Sequence, residues 1–212
     1  MSSMRDTIHE VYEKLGNLQK VYEFNVETKS DINEHLPTLK KLAEECEHVT
    51  EFGTRWCCST SALLIANPKK LISYDVSKHP AIKVIEKFSR SAVLSEKLKF
   101  ICPTEFVFHR ASTLEVSIEE TDLLFIDTWQ VYDQLKEELK LHGNKVKKYI
   151  VMHDTETYKN HGDTLKGKLP NAGGLRAAIN EFLAANPNWK EWKHYQNNNG
   201  LTVLKRMSFM PK

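Results

Sequence analysis

The chain has 212 residues, 27% of them charged and 41% hydrophobic, a balance that excludes a disordered protein and allows a sizeable core. Its 30 basic and 28 acidic side chains leave a formal charge of +2, so no electrostatic footprint for nucleic acid or an anionic membrane stands out. No apolar run approaches the roughly 18 residues that span a bilayer, and no membrane partner is expected.

Residues 1–6 carry no apolar segment of the secretory kind. The four cysteines, Cys46, Cys57, Cys58 and Cys102, form neither a Cys-x-x-Cys pair nor a metal-finger spacing. They read as free thiols in a reducing cytoplasm, which is the expected location.

Over residues 5–22, Ile8, Val11, Tyr12, Leu15, Leu18, Val21 and Tyr22 recur at helical spacing and give one apolar face. Ser30-Asp31 caps the next helical segment, with Glu34 placed for a capping box. Pro37 ends that turn or opens a helix over 38–46. Residues 1–46 therefore read as a helical cover, and residues 47–212 as an α/β domain.

From His48 onward short apolar runs at 48–52, 70–75, 105–109, 122–127 and 148–153 predict strands. The intervening stretches 59–67, 79–97, 114–120 and 129–142 predict helices. That alternation implies βαβ units and a parallel, doubly wound sheet. The end differs. A helix over 175–185 stops at Asn186-Pro187, and two β-like runs, 189–195 and 201–206, flank an Asn-Gly turn. The fold class is thus α/β, with a mostly parallel seven-stranded sheet, a terminal antiparallel hairpin and an N-terminal helical extension. Residues 158–174 form a long irregular loop, the kind that often serves as a lid.

In such a sheet ligands gather beyond the carboxyl ends of the strands. The first strand runs from Glu51 through Gly53 and Thr54 into a helix capped by Ser59-Thr60, an arrangement that offers free backbone N–H groups. Asp75 follows 22 residues after Gly53, the spacing of an acid that accepts from ribose hydroxyls; an N-cap is its structural alternative. Asp127 and Asp154 end two later strands. If those strands are neighbours, ~4.8 Å apart, the two carboxylates can converge on a hard cation such as Mg²⁺; otherwise each caps a helix or orders a loop. His153 could act as a base beside Asp154, although adjacent strand residues point to opposite faces unless the strand has ended.

Glu51-Phe52-Gly53-Thr54-Arg55, Ser59-Thr60, Asp75, Phe125-Ile126-Asp127-Thr128 and His153-Asp154-Thr155 together resemble class I S-adenosylmethionine-dependent methyltransferases. Asp127-Thr128-Trp129-Gln130 with Met152-His153-Asp154-Thr155 resembles the cephalosporin-hydroxylase-like and small-molecule O-methyltransferase branch. The resemblance implies a Rossmann-like methyltransferase fold over residues 47 to about 206. It implies S-adenosyl-L-methionine as cofactor, with Glu51 and Gly53 shaping the methionine pocket, Asp75 on the ribose, Ala111-Ser112 by the adenine and Asp127 near the sulfonium. Catechol-type relatives place metal-binding carboxylates where Asp127 and Asp154 stand. Three positions depart from the pattern: Cys57 replaces a glycine of the loop, Gln130 replaces a frequent histidine, and Thr155 replaces the amide that follows the second carboxylate in catechol-type relatives.

The expected function is O-methylation of a small hydroxylated acceptor, a sugar or secondary metabolite. Catalysis is assigned to Asp127, His153 and Asp154, with Mg²⁺ assistance on Asp127 and Asp154. One alternative is a non-catalytic methyltransferase-like binding module. The other, a nicotinamide-dependent oxidoreductase, calls for a Gly-x-Gly-x-x-Gly turn, and no glycine follows Gly53 before Gly143. Neither the acceptor nor the oligomeric state is written in the sequence.

Overall fold

The computed structural model describes residues 7–90, 104–163 and 173–207. Cys102, residues 91–97 of the predicted helix and residues 164–172 of the predicted irregular loop lie outside the described residues. The strands form a seven-stranded sheet in the order β3 (Glu105–Arg110), β2 (Lys70–Asp75), β1 (His48–Phe52), β4 (Thr121–Ile126), β5 (Val146–His153), β7 (Leu201–Arg206) and β6 (Trp189–Tyr195). It is parallel except for the closing hairpin, as the alternating pattern predicts. Contacts within the chain concentrate in two compact units, residues 1–112 and 113–212.

The first unit holds α1 (Ile8–Leu15), α2 (Leu18–Glu27), α3 (Leu36–Ala43), β1 (His48–Phe52), α4 (Cys58–Ile65), β2 (Lys70–Asp75), α5 (Ala81–Ser89) and β3 (Glu105–Arg110). The apolar stripe of residues 5–22 is carried by two helices rather than one. Gly16 at φ +79° closes α1, and the Asn17 side chain accepts from Lys20 N to start α2. Ser30 Oγ accepts from Asn33 N and starts a 3-10 turn, after which Pro37 opens α3. Tyr12, fully buried, donates to Asn25 Oδ1 at 2.9 Å and lies 3.1 Å from the Trp56 carbonyl. These bonds tie α1 and α2 to the turn before α4.

β1 and β2 pair with Glu51 beside Ser73 and Phe52 beside Tyr74. β2 pairs with β3 so that Asp75 stands beside Arg110. Phe52, Leu63, Leu71, Ile82 and Ile85 are fully buried and close the hydrophobic core of this unit. Helix α4 is buried from Ser59 to Leu64, which explains its run of small hydroxyl and aliphatic residues.

The second unit holds β4 (Thr121–Ile126), α6 (Tyr132–His142), β5 (Val146–His153), α7 (Leu175–Ala185), β6 (Trp189–Tyr195) and β7 (Leu201–Arg206). Parallel pairing of β4 with β5 sets Ile126 beside Met152, so Asp127 and His153 follow at matching ends. The predicted helix over 114–120 does not form: residues 113–115 make a turn and residues 116–120 have no regular structure. Thr113 explains this: its hydroxyl donates to Glu138 and its carbonyl lies 2.8 Å from His142 Nε2, which holds the segment along α6. The β-branched Val116 and Ile118 add little helical preference.

The hairpin turn runs through Asn198, Asn199 and Gly200, all at positive φ. A Cβ on Gly200 would lie 2.4 Å from the Glu156 backbone nitrogen, and the Gly200 φ of +93° already disfavours a side chain. Gly200→Ala should destabilise the chain by at least about 2 kcal/mol, read as a fall in the urea midpoint. A loss under about 0.5 kcal/mol would show that the turn relaxes freely.

Candidate active site

In the first unit the residues expected to serve the cofactor are organised by two carboxylates. Glu51 is wholly buried, and its oxygens accept from three hydroxyls: Ser59 Oγ at 2.7 Å, Thr60 Oγ1 at 2.8 Å and Ser73 Oγ at 2.6 Å. Register explains the last contact, since Ser73 is the β2 partner of Glu51. A buried carboxylate is costly unless donors surround it, and the Ser59-Thr60 start of α4 supplies two of them. Ser59 is thereby turned toward Glu51.

Gly53 adopts φ +85° and donates its N–H to the Tyr74 carbonyl at 2.8 Å, so the chain leaves β1 in a tight bend. The next two N–H groups, of Thr54 and Arg55, both reach Asp75 Oδ2, at 2.9 and 3.0 Å. Thr54 Oγ1 adds a third contact to the same oxygen at 3.2 Å. Asp75 Oδ1 accepts from Ser77 N at 2.9 Å and Ser77 Oγ at 3.2 Å. Burial pushes the Asp75 carboxyl up, but the Ser77, Arg55 and Thr54 bonds outweigh it and leave the pKa below the usual value. Ala111 donates to the Asp75 carbonyl at 3.0 Å, which brings Ala111 and Ser112 beside the end of β2.

Cys57, at the position where the resembling family has glycine, takes φ +66° and ψ +27°. The left-handed backbone is kept without the glycine, and the side chain is wholly buried. Burial drives the thiol pKa well up, with Glu51 adding to it, so Cys57 is a packing group rather than a nucleophile. Arg55 lies over the Trp56 ring at 3.8 Å and pairs with Asp31 at 3.0 Å.

In the second unit Asp127, His153 and Asp154 come together, each offering a ligand atom within 4.8 Å of the others. β5 ends at His153, and Asp154 turns into the left-handed region at φ +60°. That bend removes the alternation that would otherwise send the two side chains to opposite faces. His153 Nδ1 lies 3.4 Å from Asp127 Oδ1 and 3.6 Å from Asp154 Oδ1, while Nε2 is 3.2 Å from the Asn198 carbonyl. A carbonyl only accepts, so Nε2 carries a proton and Nδ1 is the atom facing the carboxylates. Burial alone would lower the imidazole pKa; the Asp127 charge and contact, then Asp154, raise it to about 9.

Gln130 Nε2 donates to Asp154 Oδ2 at 2.7 Å. The residue that stands in place of a histidine thus orients the second carboxylate. Thr155 is turned away, accepting from Thr202 Oγ1 at 2.9 Å. A small cavity behind these groups is lined by Asp127, Thr128, Trp129, Gln130, Met152 and His153, among others.

Glu138 is the buried acid that sequence reading missed. It is wholly buried on α6 and accepts from Thr113 Oγ1 at 2.6 Å, Thr128 Oγ1 at 2.9 Å and Gln134 Nε2 at 2.8 Å. One carboxylate therefore fixes the residue after Ser112 and the residue after Asp127. The signal was present: Leu135, Glu138, Leu139 and His142 follow one helical stripe, and all four are buried.

Neither a protein-family model nor a curated protein matches the sequence. Among solved structures, the O-methyltransferase from Bacillus cereus in complex with S-adenosylhomocysteine (SAH) is similar at 14% identity and TM-score 0.59, over 93% of this chain and 90% of that one. N-methyltransferase NodS from Bradyrhizobium japonicum, also with SAH, matches at 13% identity and TM-score 0.58, covering 94% and 98%. SAH-bound methyltransferase PaMTH1 from Podospora anserina matches at 12% identity and TM-score 0.57, covering 98% and 97%. The fold is that of class I S-adenosylmethionine-dependent methyltransferases. No helix among the described residues is long and apolar enough to cross a membrane.

Burial moves the Glu138 carboxyl pKa from 4.5 to about 6, although Thr113, Gln134 and Thr128 stabilise the anion. The folded state then holds the proton more tightly than the unfolded one, so this stabilising contribution is greatest below pH 4.5 and is lost as pH rises through 6. Relative to Glu138→Gln, which does not titrate, the wild type should lose about 2 kcal/mol across that window. Urea unfolding of both proteins between pH 4 and 7 reads the difference; parallel curves would place the Glu138 pKa near its ordinary value.

Proposed function

We propose that this chain is an S-adenosylmethionine-dependent enzyme that methylates oxygen on a small hydroxylated acceptor, a sugar or secondary metabolite. The observation that carries the reading is the meeting of Asp127, His153 and Asp154 at the carboxyl ends of two parallel strands in a methyltransferase fold. The first unit's residues also fit an adenosyl group. Asp75 is locked by backbone N–H groups at the end of β2, and its Oδ1 is held only by the exposed Ser77. Cys57 keeps the turn that a glycine would make, which favours a working loop over a purely non-catalytic module.

When bound, S-adenosylmethionine would supply an electrophilic methyl group for transfer to the acceptor oxygen, with S-adenosylhomocysteine as the leaving group. The chain's task is alignment and proton removal. The Asp127 side chain is 25% exposed against 1% for His153, so Asp127 is the group that an acceptor hydroxyl reaches first. His153, fixed at Nε2 by the Asn198 carbonyl, holds Asp127 and Asp154 together through Nδ1. Gln130 fixes the outer oxygen of Asp154.

The same three groups fit a divalent cation. Asp127 Oδ1, His153 Nδ1 and an Asp154 oxygen would hold it, and its charge would lower the pKa of an acceptor hydroxyl. A donor set of two carboxylates and one imidazole suits an ion such as Mn²⁺ better than Mg²⁺, which prefers oxygen alone.

Isothermal titration with SAH tests the reading. Binding in the roughly micromolar range is expected, weakened at least about tenfold by Asp75→Asn; no heat at millimolar SAH would overturn it. Mn²⁺ should also raise the melting temperature of the wild type but not of Asp127→Asn/Asp154→Asn. A metal-insensitive wild type that still binds SAH would leave methyl transfer without metal assistance.

A further inference from the structure

The donors around Asp75 are of two kinds, and the difference bears on how an adenosyl ligand enters. Three are backbone N–H groups at 2.9 to 3.0 Å: Thr54 and Arg55 on Oδ2, and Ser77 on Oδ1. Two are side-chain hydroxyls at 3.2 Å: Thr54 Oγ1 on Oδ2 and Ser77 Oγ on Oδ1. A carboxylate has about four lone-pair sites, so five donors leave no acceptor capacity for a ligand. The backbone donors are fixed by the bend at Gly53 and by the turn after β2. The hydroxyls rotate.

The two hydroxyls also differ in setting. Thr54 is 2% exposed and lies on the inner side of the carboxylate, whereas Ser77 is exposed. A ligand arriving from solvent meets Oδ1 and the Ser77 hydroxyl. On the adenosyl reading above, the arriving donors are the hydroxyls of a ribose, chemically the same group that Ser77 presents.

We infer that Ser77 is a specificity-determining residue whose hydroxyl occupies the ribose-accepting position of Asp75 Oδ1, so that cofactor binding exchanges one hydroxyl for another. The Ser77 side chain must swing away, while its N–H stays and keeps the carboxylate in place. Oδ2, saturated by three protein donors, contributes less to the ribose than Oδ1. The Ser77 hydroxyl thereby taxes every ligand that binds through a diol, and it leaves unaffected one that lacks those hydroxyls.

The test compares wild type with Ser77→Ala, which keeps the backbone N–H and changes only an exposed side chain. Titration uses SAH and its analogue lacking both ribose hydroxyls. Ser77→Ala should bind SAH about threefold more tightly, in line with the net worth of one exposed hydrogen bond, and should bind the dideoxy analogue no better than wild type does. Equal or weaker SAH binding by Ser77→Ala would overturn the inference, as would equal tightening for both ligands, which would mark Ser77 as a mere steric obstacle. Should neither protein bind SAH, the adenosyl reading itself falls, and this inference with it. The wild-type titration therefore separates the two failures.

Discussion

A carboxylate that leaves water must find donors, and that constraint organises the candidate ligand groups in each unit of this molecule. Glu51 draws three hydroxyls around it from β2 and α4. Asp75 draws the N–H groups of the bend after β1. Asp154 takes the Gln130 amide and faces His153, and Glu138 gathers Thr113, Thr128 and Gln134. Glu51 thereby ties α4 to β2, while Asp75, Asp154 and Glu138 each fix the course of a loop because the loop carries donors. Removing one donor leaves part of a charge unsatisfied, so the loops have few alternative paths.

Left-handed backbone at non-glycine residues is the second recurring device. Cys57, the residue before α4, and Asp154, the residue after β5, both hold positive φ. Such conformations cost roughly a kcal/mol or more and persist only where surrounding contacts enforce them. At Cys57 complete burial does so; at Asp154 the Gln130 bond, the His153 contact and the bond from Tyr158 N to its carbonyl do so. Aspartate tolerates this region better than most residues, which suits position 154 on backbone grounds as well as chemical ones.

Much of this was legible in the sequence. Continuous apolar runs located the inner parallel strands β1, β2, β4 and β5, because strands buried on both faces have no polar alternation to confuse with a surface helix. The hairpin was legible because Asn199-Gly200 demands positive φ that few pairs supply. The meeting of Asp127 and Asp154 followed from strand adjacency, whereas the arrival of His153 beside them hung on whether the strand had ended, which the bend at Asp154 decides. The segment 114–120 was misread as helix because its conformation is set through Thr113 by Glu138 and His142, residues far along the chain. Glu138 itself hides in a Lys/Glu-rich helix, where charge reads as solvent exposure unless its place on the Leu135–Leu139 stripe is weighed. Asp75 matched its expected position, but the five donors that crowd it have no sequence signature.

Strand β6 ends the sheet order, and residues 190–193 along it are exposed. Its outward amides and carbonyls would template a further strand, which is the usual route from a soluble sheet to an aggregate. Lys190 and Lys193 bracket Glu191 and Trp192 there, and the irregular register between Glu191 and Lys193 distorts the ladder. Two copies approaching along this margin would bring ammonium groups together across a bent rim. Like charges and a broken hydrogen-bonding rhythm thus make this border of the sheet a poor template for a further strand.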